Sequence, residues 1–143
     1  MNHNHRESQS KGRARIVGKR YRLPMPVAAV LRRIFSESVE NVLVIEHSAY
    51  AWLHRGMAAT TRPNRILLAI SGAAFVANPE LMLHEYFHVL RQWRTGQLTR
   101  WGYLVESAQR GHWDNRFERE AREFAAAAAP LYRRLLIDAS IPD

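Results

Sequence analysis

The chain of 143 residues contains no cysteine, and this absence limits the chemistry that it can support. Without thiols it can form neither a disulfide framework nor a thiolate metal site. Cysteine-based zinc fingers and cysteine proteases are therefore excluded. The absence of cysteine is also compatible with a cytoplasmic protein.

The sequence also lacks an apolar run long enough to span a bilayer, and its N-terminus has no apolar signal core. We therefore expect no membrane partner and a cytoplasmic location, with export by a specialised system as a further possibility. Neither an internal repeat nor a linker divides the chain. This predicts a single domain over residues 23–143, whose oligomeric state the sequence leaves open.

Positive charge is concentrated at the N-terminus. Residues 1–22 carry seven basic side chains and one acidic side chain, a net charge of +6, whereas the remainder carries only +2 of the total of +8. This distribution predicts a basic flexible arm over residues 1–22. Such an arm either is solvated and promotes solubility or binds nucleic acid or an acidic protein surface, and nothing in it offers base-specific recognition.

The most informative stretch is His84-Glu85-Tyr86-Phe87-His88, which has the pattern H-E-x-x-H. On a helix, the two histidines lie on one face about one turn apart, so both imidazoles can bind one metal ion, with zinc preferred. Glu85 lies beside that face and is placed to act as a base toward water on the metal. Catalytic zinc usually has three protein ligands and a water, so a third ligand is expected.

The motif lies on a helix with clear boundaries. Asn78 is an expected N-cap, Pro79 suits the first turn and Gly96 is a natural C-cap. Apolar residues cover much of the helix between these ends and predict that it is buried: Leu81, Leu83, Phe87, Val89, Leu90 and Trp93. Buried histidines need polar partners, and a metal ion would provide one.

The remaining patterns predict an α+β fold, mostly helical, with a short β-sheet packed on the motif helix. Apolar periodicity and turn residues predict the following elements: a helix from Pro24 to about Val39, a strand Val42–Ile45, a helix Ser48–Leu53, a strand Arg65–Ser71, a helix from Thr99 to Gln109 and a last helix from Asp114 or Asn115. Pro130 either kinks the last helix or restarts it. We expect the Arg65–Ser71 strand to be an edge strand that can pair with an extended peptide.

Glu118 is the preferred third ligand. It lies on the apolar face of the last helix, where burial of a carboxylate requires a cation, and Ala121 one turn later allows close approach of the motif helix. Glu106 and Glu120 are the alternative third ligands. Each could instead contact the residues around the metal without binding the metal itself. Tyr103 and His112 are candidate catalytic donors to an oxyanion.

Two stretches together resemble the gluzincin metallopeptidases: His84-Glu85-x-x-His88 and the later run Phe117-Glu118-Arg119-Glu120-Ala121. The resemblance implies that the two histidines and Glu118 bind zinc. Arg122 stands where many relatives have an aspartate. Residues 24–125 are also similar in pattern to the metallopeptidase domain associated with bacterial contractile injection systems and polymorphic toxins, which implies a small zincin-like fold.

These features favour zinc-dependent hydrolysis of a peptide bond in a protein or peptide substrate, with Glu85 activating the water. One alternative is a zinc-binding docking or structural module without catalysis, as part of a toxin-delivery or phage-like assembly. A purely structural site would not need Glu85. A second alternative is a regulatory protease that acts on a DNA-bound partner, for which the basic arm is the support.

Overall fold

The structure is a computed structural model that describes residues 18–53, 57–99, 102, 108–109 and 115–141. The described residues form an α+β fold, as predicted. Its elements, in chain order, are β1 (Lys19–Tyr21), α1 (Met25–Phe35), β2 (Leu43–Glu46), α2 (Ala49–Leu53), β3 (Ala59–Arg62), β4 (Arg65–Leu68), α3 (Gly72–Val76), α4 (Pro79–Phe87), a π-helical segment (His88–Trp93) that continues α4, and α5 (Arg116–Ala139).

The four strands form one mixed sheet in the order β1-β2-β4-β3. β2 and β4 are parallel, whereas β1 and β3 pair antiparallel with their neighbours. The prediction of a strand beginning at Arg65 is confirmed, but its expected edge position is wrong because β3 covers that side. Ala59 and Thr61 are buried and alternate with less buried neighbours, which is the period of a strand packed on one face.

The predicted flexible arm is wrong at its C-terminal end, because β1 pairs with β2. The aromatic ring of Tyr21 lies so close to Gly72 that a Cβ atom at Gly72 would overlap it. Glycine at this position therefore allows β1 to dock against α3. Residues 1–17 lie outside the described residues, and a flexible arm remains a prediction for them.

Helix ends follow local capping chemistry. The Asn78 side chain accepts a hydrogen bond from the Leu81 N–H at 3.1 Å, and Gly96 has the positive φ of 76° expected at a helix C-terminus. α1 ends earlier than predicted because Ser36 adopts a left-handed conformation. Arg91 donates to the Phe35 carbonyl at 2.6 Å and thereby satisfies an acceptor that the end of α1 leaves free.

α5 begins close to the predicted residue and runs without interruption through Pro130. Its buried face carries Ala121, Ala125 and Ala129 at four-residue spacing, and these small side chains allow α4 to pack closely on it. The hydrophobic core joins the sheet to α1, α4, the π-helical segment and α5. α4 therefore packs between the sheet and α5. No helix in the described ranges is long and apolar enough to cross a membrane.

Candidate metal centre

His84 and His88 lie one turn apart, as the motif predicts. Their ring centroids are 4.7 Å apart and the rings are nearly perpendicular, with an interplanar angle of 82°. The two Nε2 atoms face each other at 3.1 Å. His88 is buried, whereas the His84 side chain retains 16% exposure, so solvent reaches the cluster from the His84 side.

Glu118 brings a carboxylate to the same point from α5. Asn115 caps that helix by accepting a hydrogen bond from the Phe117 N–H at 2.8 Å, which leaves Glu118 in the first helical turn. One oxygen, Oε2, lies 3.0 Å from His84 Nε2 and 3.3 Å from His88 Nε2. Within the described ranges, His84, His88 and Glu118 are the histidine and acidic residues that come together as a potential metal-binding group.

The residues present fit zinc. Two imidazole nitrogens and one carboxylate oxygen are the donor set of many catalytic zinc sites. At zinc–ligand distances of about 2.0–2.2 Å, neighbouring ligands of a tetrahedral ion lie roughly 3.3 Å apart. The three candidate ligand atoms here are separated by 3.0, 3.1 and 3.3 Å, so little rearrangement would be needed.

Electrostatics also favour a positive charge at this point. Burial alone would raise the pKa of Glu118, but hydrogen bonds with His84 and His88 hold it well below its usual range. Burial would lower the pKa of His88, but its contacts with Glu118 and the charge of Glu85 raise it. Three atoms that each offer a lone pair meet here, so protons or a cation must lie between them.

Glu85 is a second carboxylate next to the cluster. It is only 5% exposed, and burial raises the pKa of its carboxyl group. The charges of His88 and His84 oppose that rise, whereas the charge of Glu118 adds to it. A carboxylate with a raised pKa beside a metal-binding group is suited to accept and return a proton.

Gln92 is a polar residue of the centre that the sequence analysis missed. It is completely buried in the π-helical segment, and its Oε1 lies 2.6 Å from His88 Nδ1. Its Nε2 lies 3.0 Å from the Phe117 carbonyl and 3.3 Å from Glu120 Oε2. Its spacing of four residues after His88 was the available indication, because that spacing puts both side chains on one helix face.

The other sequence candidates have different positions. Glu120, an alternative third ligand, is exposed and contacts Gln92 rather than the histidine pair. The Thr99 hydroxyl accepts a hydrogen bond from the Gly102 N–H at 2.9 Å, as expected where a helix begins at Thr99. Tyr103, Glu106 and His112 lie outside the described residues, so their proposed roles remain predictions.

Comparisons of the chain with family models, with curated proteins and with solved structures found no match.

Proposed function

We propose that the protein is a zinc-dependent peptidase of gluzincin type. The observation that carries the proposal is the triangle formed by His84 Nε2, His88 Nε2 and Glu118 Oε2, which has edges of 3.0–3.3 Å. The buried Glu85 directly follows His84 in the chain. The resemblance of the two motif stretches to the gluzincins supports the same conclusion.

Each side chain has a distinct role in this proposal. His84, His88 and Glu118 would hold the ion, and zinc bound there supplies a Lewis acid that lowers the pKa of water and polarises a peptide carbonyl. Glu85 takes a proton from the attacking water and passes it to the leaving amine. Burial raises the pKa of Glu85, which makes its carboxylate a better proton acceptor than an exposed one.

The outer edge of β3 is suited to bind an extended substrate. The Ala69 N–H donates to the Ala58 carbonyl at 2.8 Å, so by alternation the backbone groups of Ala58, Thr60 and Arg62 point toward β4. Those of Ala59 and Thr61 point to the opposite side, where no strand of the described ranges pairs. β3 therefore replaces the Arg65–Ser71 strand of the sequence-based hypothesis as the proposed peptide-binding strand.

The position of β3 relative to the centre agrees with this role. Trp93, at the end of the π-helical segment, donates its indole N–H to the Thr61 hydroxyl at 3.1 Å. That segment begins at His88, so β3 contacts the same segment that carries the second histidine. A peptide paired with β3 would run alongside the segment that carries His88.

Glu85→Gln tests the proposed chemistry. The amide has nearly the same shape but cannot take a proton, so we expect the variant to keep bound zinc and to lose at least about 100-fold in peptide cleavage. Zinc content is measured by elemental analysis, and cleavage by mass spectrometry of a peptide library. Glu80→Gln is the matched control, because Glu80 is exposed in the first turn of the same helix.

The outcomes separate hydrolysis from a docking role. Cleavage by Glu85→Gln at the wild-type rate would show that the proposed mechanism is wrong. A wild-type protein that holds zinc in stoichiometric amount and cleaves no peptide of the library would instead support the docking or structural module.

A further inference from the structure

Gln92 contacts both the residue His88 and the first turn of α5, which carries Glu118. Its side chain lies between the π-helical segment and the first turn of α5, with no exposed surface. One end of the amide meets the ring of His88, and the other meets the backbone of Phe117, the residue immediately before Glu118. A buried amide without hydrogen-bond partners would destabilise the folded protein. The hydrogen bonds of Gln92 therefore determine the orientation of its amide.

The orientation of the amide follows from its partners. The Phe117 carbonyl and the Glu120 carboxylate only accept hydrogen bonds, so the atom that faces them at 3.0 and 3.3 Å must be the NH₂ group. The amide oxygen therefore faces His88 Nδ1 at 2.6 Å. Because that oxygen can only accept, Nδ1 of His88 must carry a hydrogen and donate.

This hydrogen bond determines which nitrogen of His88 can bind a metal. In the neutral ring with hydrogen on Nδ1, Nε2 carries the lone pair. Nε2 is the atom that faces His84 Nε2 and Glu118 Oε2 at 3.1 and 3.3 Å. The contact with Gln92 thus directs the lone pair of His88 into the ligand triangle.

The π-helical geometry accompanies this arrangement. The Arg94 N–H bonds to the Val89 carbonyl at 3.0 Å, five residues back rather than four. One extra residue in the turn rotates everything after it by about 100° around the axis. Segments of this kind are rare and frequently occur at functional sites. Here the segment begins at His88 and contains Gln92.

We propose that Gln92 is a positioning residue that holds His88 in its metal-binding tautomer and joins that ring to the turn of α5 that carries Glu118. The inference rests on the proposed metal site and adds to it a residue that contacts a metal ligand without binding the metal. Outer residues of this kind typically contribute 10–100-fold to metal affinity.

The first test measures the tautomer in the wild-type protein. In zinc-free wild-type protein at alkaline pH, where imidazoles are neutral, a long-range proton–nitrogen NMR spectrum distinguishes the two tautomers of His88. Its signals are assigned by their loss in His88→Gln. We expect hydrogen on Nδ1 and a bare Nε2. Hydrogen on Nε2 would overturn the inference even if the protein binds zinc.

The second test measures zinc affinity by competition with a chromophoric chelator. Gln92→Met keeps the length of the side chain but removes both contacts, and we expect a 10–100-fold loss of affinity and a mixture of His88 tautomers. Gln92→Glu keeps an acceptor for His88 Nδ1, and we expect it to stay within about 10-fold of wild type and to retain hydrogen on Nδ1.

Val89→Ala is the matched control, because Val89 is fully buried in the same segment and its side chain is purely apolar. We expect its zinc affinity to stay within about threefold of wild type, although its stability falls. Wild-type affinity in a folded Gln92→Met would refute the positioning role. If the wild-type protein binds no zinc, the proposed function is wrong. The NMR measurement of the His88 tautomer still tests the role of Gln92 in that case.

Discussion

Glu118→Gln tests whether the carboxylate of α5 is a true ligand. The substitution preserves side-chain volume and removes the negative charge that lies 3.0 and 3.3 Å from the two imidazole nitrogens. Zinc sites with four protein ligands bind with about 10–16 kcal/mol, which is roughly 3 kcal/mol per ligand. We therefore expect the variant to bind zinc about 100-fold more weakly, since 1.4 kcal/mol is about tenfold.

This loss has a direct consequence for stability. At a free zinc concentration of about 100 times the wild-type dissociation constant, binding stabilises the folded wild type by about 2.7 kcal/mol. At the same concentration, a variant that binds 100-fold more weakly gains only about 0.4 kcal/mol. Denaturation with and without zinc therefore gives a second estimate of the same change in affinity, independent of catalysis.

The assay is a chelator competition titration, followed by denaturant unfolding at fixed free zinc. Glu123→Gln is the control, because it makes the same chemical change at an exposed position of α5. We expect it to behave as wild type in both measurements. If Glu118→Gln retained the wild-type dissociation constant, Glu118 would not be a ligand and the proposed donor set would be wrong.

Two further predictions concern pH and the sheet edge. The pKa of His88 is raised in the folded state, so its stabilising contribution is complete below its ordinary pKa and is lost as the pH rises through the folded value. Denaturation in chelator should show that the zinc-free protein loses stability as the pH rises above 6.5, the ordinary pKa of histidine, whereas stabilisation by zinc grows because the ligands must be deprotonated. Rising stability of the zinc-free protein over the same interval would contradict this. Thr61→Pro removes an N–H that points outward from β3, and Thr61→Val is the control because it loses only the hydroxyl. We expect KM for a cleaved peptide to be about fivefold higher for Thr61→Pro than for Thr61→Val. Equal KM values would exclude peptide pairing at Thr61.

The sequence predicted elements wherever one residue type imposes a local geometry. Asn78 followed by Pro79 defines the start of α4, and Gly96 the end of the helical run, because capping depends on a few neighbouring residues. Asn115 caps α5 for the same reason. The approach of Glu118 to the histidine pair was also expected, since a carboxylate on an apolar helix face has few other partners.

The misses depended on contacts between distant parts of the chain. β1 forms because β2 offers a free edge and Gly72 leaves space for the ring of Tyr21, and neither condition is visible within residues 19–21. β3 is absent from the predicted elements because Ala59 and Thr61 are small and only moderately apolar. The carbonyl left free at the early end of α1 is satisfied by Arg91, which lies far away along the chain.

The same distinction explains why the sequence indicates the candidate ligands but not Gln92. A zinc ligand is recognisable by residue type, since histidine and carboxylate side chains are the donors that remain in a chain without cysteine. An amide that orients a ligand has no such restriction, and its role appears only when its two ends have known partners. Because those partners lie on separate helices, the geometry of the centre depends on the packing of α4 against α5 as much as on the motif itself.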